Sequence, residues 1–429
     1  MYLLQTVEST MEDNKLNKGK GFFSKGIEVR IFRHDIMWIA CIFVAFAIFV
    51  ELFYRMIGGD LDHYRSDFPY YAKYIIDIDG FKPDRLVELI SIKLYSINHN
   101  TMEFNILAAM VVALTIVANY LIVSFYIRRD GMGDSVPRYA IQLVSLLAFF
   151  TGPVYSRSFH KFYYKGSFAS YAWHSPTQQL MTLLSLIAIL CFLKMFLDYR
   201  VGVSACWWVA TALTMLLSAS VKPSFVICMV PSVVVLFLLD LLRCGKKDIG
   251  KNFFRLLVMG CALIPAGLYI MWLNTKEFGE ETYSGDTAHI IFGLEVLRSK
   301  EGILTMFFFG MTFAIVICAA NFKRFKDSKY LLAALLFLFG VLQWVLLSET
   351  GDRAGDGNFT WGRIFATYYL TLLCLTIGLE NIYNKESIPF KSGWAKKAYF
   401  IAAGLALAMS LSSQGVYFMR ILMGQSYWR

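Results

Sequence analysis

The sequence predicts an all-α, polytopic transmembrane helix bundle of about eleven spans, with short amphipathic jaw helices in the external loops. Three observations carry that expectation. Of 429 residues, 57% are hydrophobic, 16% aromatic and only 17% charged. The mean hydropathy of +0.53 lies far above the balance of a soluble domain. Uncharged runs recur along the whole chain, each near the roughly 20 residues that a helix needs to cross about 30 Å of hydrocarbon. Helices are implied because backbone groups facing lipid must be bonded within their own segment.

The apolar windows fall at 36–56, 104–126, 138–154, 178–198, 202–219, 223–242, 253–273, 302–320, 330–348, 363–382 and 397–419. The 138–154 run is short. From 202 to 242 the chain is continuously apolar, and it is divided at SASVKPSF, where Lys222 is costly in mid-bilayer and Pro223 breaks the helix ladder. Residues 1–34 form a basic segment of interfacial character, GKGFFSKGIEVRIFRHD, which suits a membrane-surface anchor. Residues 35–429 form one transmembrane domain. No short apolar core followed by a small-residue cleavage site opens the chain, so a cleaved signal peptide is not expected.

The net charge of +10 would suggest nucleic acid in a soluble protein, but here the cations cluster between apolar runs. Topology explains them, and nucleic acid is excluded as a partner. The segments KLNKGKGFFSKGIEVRIFR, RRDGMGDSVPR, RCGKKDIGKNFFR, NFKRFKDSK and NKESIPFKSGWAKK are cytoplasmic by the positive-inside rule. This makes a multi-pass cell-membrane protein with a cytoplasmic N-terminus, and loops 55–103, 155–177, 220–222, 274–301 and 349–362 lie outside. In the first loop, Leu86, Leu89, Ile90 and Leu94 recur at helical spacing and predict an amphipathic jaw helix on the outer leaflet. All eight cysteines fall in or beside apolar runs without CxxC or CxxH spacing, so they read as buried small hydrophobes.

Four external segments carry residues fit for chemistry. GGDLDHYRSDFPYYAKY concentrates Asp60, Asp62 and Asp67 after the first span. A carboxylate beside a low-dielectric cavity is suited to take a proton from a hydroxyl, and the aromatics after Asp67 are platforms for sugar rings. Asp60 and Asp62 are candidate substrate ligands, or carboxylates that could hold Mg²⁺ or Ca²⁺, although no EF-hand-like loop is present. The plainer alternative is that acid and base alternate because the loop is wet. No cofactor is certain.

SRSFHKFYYKGSFASYAWHSPTQQ offers Arg157 and His174 among aromatics, a mixture suited to a phosphate joined to a sugar, though most of its charges also fit a solvated rim. Its SerProThr marks the start of the next helix. Lys222, bounded by apolar spans, is either a snorkelling lysine or the partner of a lipid-linked phosphate. In SETGDRAGDGNFTWGRIF, Asn358, Trp361 and Arg363 are substrate-binding candidates, with Arg363 as a second phosphate clamp; an ordinary flexible loop is the alternative. Walker A, GxGxxG, GxSxG and HExxH signatures are absent, which leaves ATP-driven pumps, nucleotide-dependent oxidoreductases and zinc proteases without support.

In its many spans, its first-loop acid and the set SDFPYYAKY, WHSPT, KPSF and GNFTWG, the chain resembles polytopic glycosyltransferases of the GT-C superfamily. That resemblance implies an inverting transferase moving a sugar from a polyprenyl-phosphate-linked donor to an extracytoplasmic glycan, lipid or protein acceptor. It further implies that Asp67 is the general base and that Lys222 and His174 contact the donor phosphate or its leaving group. The chain departs from the best-known pattern in having a DLD and a separated Asp rather than an adjacent acidic pair. A transporter or flippase for lipid-linked glycans is the rival expectation. A polymerase or ligase acting on them is another, and a non-catalytic assembly subunit a further one.

Overall fold

The computed structural model describes residues 33–58, 67–68, 102–156, 158, 171, 173, 175–245, 248–279, 290–292, 303–350, 359–384, 386, 388 and 390–425. The chain is all-α and multi-pass. In order the helices are α1 (Arg33–Gly58), α2 (Met102–Arg129), α3 (Arg138–Phe150), α4 (Pro176–Asp198), α5 (Ala205–Val221) and α6 (Ser224–Leu242). They continue with α7 (Ile249–Gly260), α8 (Ile264–Gly279), α9 (Ile303–Gly310), α10 (Thr312–Ala320), α11 (Ser328–Leu346), α12 (Thr360–Tyr383) and α13 (Gly393–Leu422). Two three-residue strands, β1 (Ile290–Phe292) and β2 (Leu347–Glu349), pair antiparallel.

Among the described residues eight helices, not eleven, are long and apolar enough to cross a membrane, with α7 and α8 counted together through the short 3₁₀ turn between them. The expected spans at 138–154, 202–219 and 302–320 fall short for identifiable reasons. Helix α3 has 13 residues because the chain leaves helical geometry at Thr151, ahead of Gly152 and Pro153. Helix α5 has 17 and stops at Lys222, whose backbone is extended (φ −159°, ψ 119°) before Pro223. The third run breaks at Met311 into α9 and α10. The Phe309 carbonyl there accepts from Val154 N at 3.0 Å, so the break and the irregular segment after α3 satisfy each other's backbone.

Local chemistry sets the remaining boundaries. Pro176 opens α4, where its missing N–H costs nothing. Asp327 caps α11 by accepting from Lys329 N at 3.2 Å. Helix α2 ends on Gly131 (φ +71°), with Met132 N bonded to Ile127 O and Gly131 N to Arg128 O, a left-handed cap that glycine adopts without steric penalty.

Helix α12 is the centre of the bundle, since every residue from Gly362 to Ile377 is buried. Around it α4 and α5 run antiparallel, joined by a 2.9 Å Ser185–Ser218 bond. Helix α11 approaches so closely that a Cβ on Gly340 would lie 3.0 Å from the Arg363 Cα. The cysteines are all free. Their expected burial holds for Cys191, Cys228 and Cys374, whereas Cys41 and Cys206 are exposed, Cys244, Cys261 and Cys318 intermediate.

The antiparallel packing gives the bundle two ends of different character. One gathers a charged knot. Tyr330 donates to Asp130 at 2.6 Å and contacts Glu380 at 3.3 Å, while Arg324 pairs with Glu380 and Lys329 with Asp130. Burial alone would lower the Arg324 pKa, but Glu380 and Tyr330 beside it hold the guanidinium above its ordinary value. At the other end stand Lys222, Trp361 and Arg363.

Candidate functional site

The site is built by three helix beginnings. Because α5 returns antiparallel to α4, its last residue comes back to the first turn of α4, and Pro223 starts α6 immediately after Lys222. The first turn of α12 then seats on α6 and α11 at Gly362. A Cβ there would stand 2.5 Å from Cys228 Sγ, 2.7 Å from Gln343 Oε1 and 2.9 Å from the Ser224 carbonyl. Only glycine permits that approach. Each helix start carries N–H groups without intrahelical partners and about half a positive charge.

Two cations are buried among these termini. Lys222 is 7% exposed, and its Nζ lies 3.6 Å from the centroid of the Trp361 ring and 3.4 Å from Thr177 Oγ1. It does not snorkel to water. Arg363, 4% exposed, sits over the Trp344 ring at 4.5 Å. Their charge adds to that of the helix starts in a low-dielectric setting, an arrangement that attracts anions.

Glutamine side chains surround the same turn. Gln178 Nε2 donates to the Trp361 carbonyl at 3.2 Å, and Gln179 Nε2 to the Trp173 carbonyl at 2.9 Å. Cys228 Sγ donates to Gln343 Oε1 at 2.7 Å. The remaining amide atoms, Gln178 Oε1, Gln179 Oε1 and Gln343 Nε2, are buried with no hydrogen-bond partner among the described residues. Buried polar atoms are nearly always paired, so the two at the first turn of α12, on Gln178 and Gln343, mark a place suited to something polar.

Asp67 joins this end indirectly. The neighbouring Phe68 stacks on Phe53 at 4.7 Å and meets Phe104 at 5.7 Å, fixing the half-buried Asp67 between α1 and α2. From Phe53 the contacts run to Phe49 and then to Trp173, which stacks on Phe49 at 4.8 Å. Gln179 and Gln178 carry the path onward to Trp361 and Lys222.

Of the residues singled out by sequence, Lys222, Trp361 and Arg363 therefore come together, with Asp67 on the same end. Asp60, Asp62, Arg157, His174 and Asn358 lie outside the described residues, as do the jaw helix at 84–95 and the basic segment through residue 32. Among the described residues no group of three His, Cys, Asp or Glu side chains is placed to hold a metal ion. Sequence reasoning missed Thr177, Gln178 and Gln343. For Gln178 and Gln343 the signal was a carboxamide in an apolar window, at TQQ and at GVLQW; Thr177 gave none.

The fold and hydropathy define a polytopic helical membrane protein. The chain matches no protein-family model and no curated protein.

Proposed function

We propose that this chain is a membrane-embedded glycosyltransferase that moves a sugar from a polyprenyl-phosphate-linked donor to an extracytoplasmic glycan, lipid or protein acceptor. The observation that carries the reading is the burial of Lys222 and Arg363 against three helix beginnings, with Asp67 on the same end of the bundle. In this reading the donor phosphate rests on Lys222 and the α4, α6 and α12 termini. Asp67 accepts the proton of the acceptor hydroxyl as it attacks the anomeric carbon, and the lipid phosphate departs with the bonding electrons. The cation-rich opposite end faces the cytoplasm.

The test is transfer from a radiolabelled isoprenyl-phosphoryl hexose by the full chain in lipid nanodiscs with an envelope glycan acceptor. A general base contributes about 10²–10⁴-fold in rate, so Asp67→Asn should lose at least about a hundredfold in kcat with donor affinity retained. Full turnover in that variant would remove Asp67 from the chemistry.

One observation favours a transporter instead. Broken helices and irregular backbone inside a bundle occur at substrate sites of transporters, and the α9/α10 break with residues 151–156 is of that kind. Donor crossing proteoliposomes with no sugar transferred would establish that reading in place of the transferase.

A further inference from the structure

The site's glutamines carry chemical information that its cations do not. An ionised phosphate ester offers only acceptors, so a cation, a helix start or an amide N–H binds it, whereas an amide oxygen does not. Gln343 Nε2 fits the anion: its own Oε1, which faces Gly362, is committed to the Cys228 thiol, and this leaves the NH₂ as a donor. Gln178 is the reverse. Its NH₂ is committed to the Trp361 carbonyl at 3.2 Å, and the side chain is 1% exposed. What remains is Oε1, an acceptor with no partner among the described residues, beside the residue whose ring holds Lys222.

The amide cannot turn over to cure this, because the Trp361 carbonyl would then face an oxygen. Occupation by phosphate alone leaves the acceptor unmet. A ligand carrying a hydroxyl or N–H next to its anionic group would satisfy it.

We infer that Gln178 Oε1 is the acceptor for a sugar hydroxyl of the bound glycosyl phosphate, making Gln178 a specificity-determining residue that separates the sugar-bearing donor from the bare lipid phosphate. This rests on the phosphate-binding reading of Lys222. In this inference the ligand enters past the half-buried Trp361 side chain, while the Trp361 backbone carbonyl keeps the Gln178 NH₂. The division of labour is then clear: Lys222, Gln343 and the helix starts hold the phosphate common to donor and product, and Gln178 recognises what is transferred. Sites that hydrogen-bond a substrate hydroxyl discriminate strongly against ligands lacking it, because their buried polar atoms are otherwise left unpaired.

The experiment measures binding of farnesyl phosphate and of farnesyl-phosphoryl glucose, galactose and mannose to the full chain in nanodiscs, for the parent protein, Gln178→Leu and Lys222→Met. Each variant is first shown to be monodisperse, and Lys222→Gln, which also removes the charge, replaces Lys222→Met if that protein fails to assemble. In the parent protein at least one sugar-bearing ligand should bind about tenfold more tightly than farnesyl phosphate. Gln178→Leu should remove that advantage while leaving farnesyl phosphate affinity within about twofold, and the lysine variant should weaken all four ligands together. If no sugar-bearing ligand outbinds farnesyl phosphate, or if Gln178→Leu leaves the advantage intact or weakens farnesyl phosphate equally, the role of Gln178 is overturned. If the lysine variant binds farnesyl phosphate like the parent, the phosphate-site reading fails, whereas loss of the sugar advantage in Gln178→Leu tests the role of Gln178 separately.

Discussion

At the scale of single residues, the site depends on an atom that is missing. Gly362 has no Cβ, and that absence lets α12 rest on the Ser224 carbonyl of α6 and the Gln343 amide of α11. Gly362→Ala forces a methyl to within 2.9 Å of a backbone oxygen, which cannot rotate away as a side chain can. Overpacking of this kind costs about 1–3 kcal/mol. Thermal unfolding in detergent should show the loss, with Gly404→Ala as the control because nothing lies within 4 Å of that position. Equal midpoints for the two variants would mean that the α6–α12 contact is looser than described. Lys222 and Arg363 were legible from sequence because a charge in an apolar window must be explained. Gly362 was not, since one glycine among several in a polar loop says nothing about which of them a neighbouring helix will touch. Gln178 and Gln343 showed no more than a carboxamide in an apolar window, because burial and the commitment of one amide atom are properties of packing.

At the scale of elements, the chain's punctuation was readable and its interruptions were not. Pro223 after Lys222 divides α5 from α6, and SerProThr opens α4, both where the residues indicated. Hydropathy ran unbroken through Thr151–Val154 and through Met311, because Gly, Pro, Val, Met and Phe are apolar whether or not they are helical. Hydropathy also fails to tell a central helix from a peripheral one: α12 and α13 are about equally apolar, yet the first is almost wholly buried and the second mostly exposed. The charged knot at the cation-rich end is an element-level device as well, tying α2, α11 and α12 together through Asp130, Tyr330 and Glu380. Glu380 is 0% exposed, and removing its charge leaves Arg324 with the more distant carboxylate of Asp130 at 3.8 Å. Glu380→Gln should destabilise the fold by roughly 1–3 kcal/mol, and Arg324→Met combined with it should cost far less than the two single changes added. Additive losses in a double-mutant cycle of unfolding would show that the two side chains do not act as a pair.

At the scale of the whole molecule, the question is whether the end carrying Lys222 lies across the membrane from the charged knot. Helix α3 is the critical case, since its 13 residues rise only ~20 Å, short of a hydrocarbon core of about 30 Å. The chain nevertheless continues through residues 151–156, which at full extension add up to ~20 Å. Irregular backbone at that depth is tolerable only where protein satisfies it. Val154 N finds the Phe309 carbonyl, Tyr155 N finds Ser413 Oγ at 3.1 Å, and Gly152 lies against the Gln414 side chain. These contacts direct the chain away from the start of α3, which predicts that the exposed Ser158 belongs to the end where Trp173 meets α4. In a background without native cysteines, Ser158→Cys should therefore react with a membrane-impermeant maleimide on intact cells. Asp134→Cys and Lys323→Cys, both exposed at the opposite end, should react only after permeabilisation. A helix α3 that dips into the bilayer and returns would instead place Ser158 with the other two. That labelling pattern would put the Lys222 site on the cytoplasmic side or within a re-entrant fold, and the extracytoplasmic transfer proposed above would fail with it.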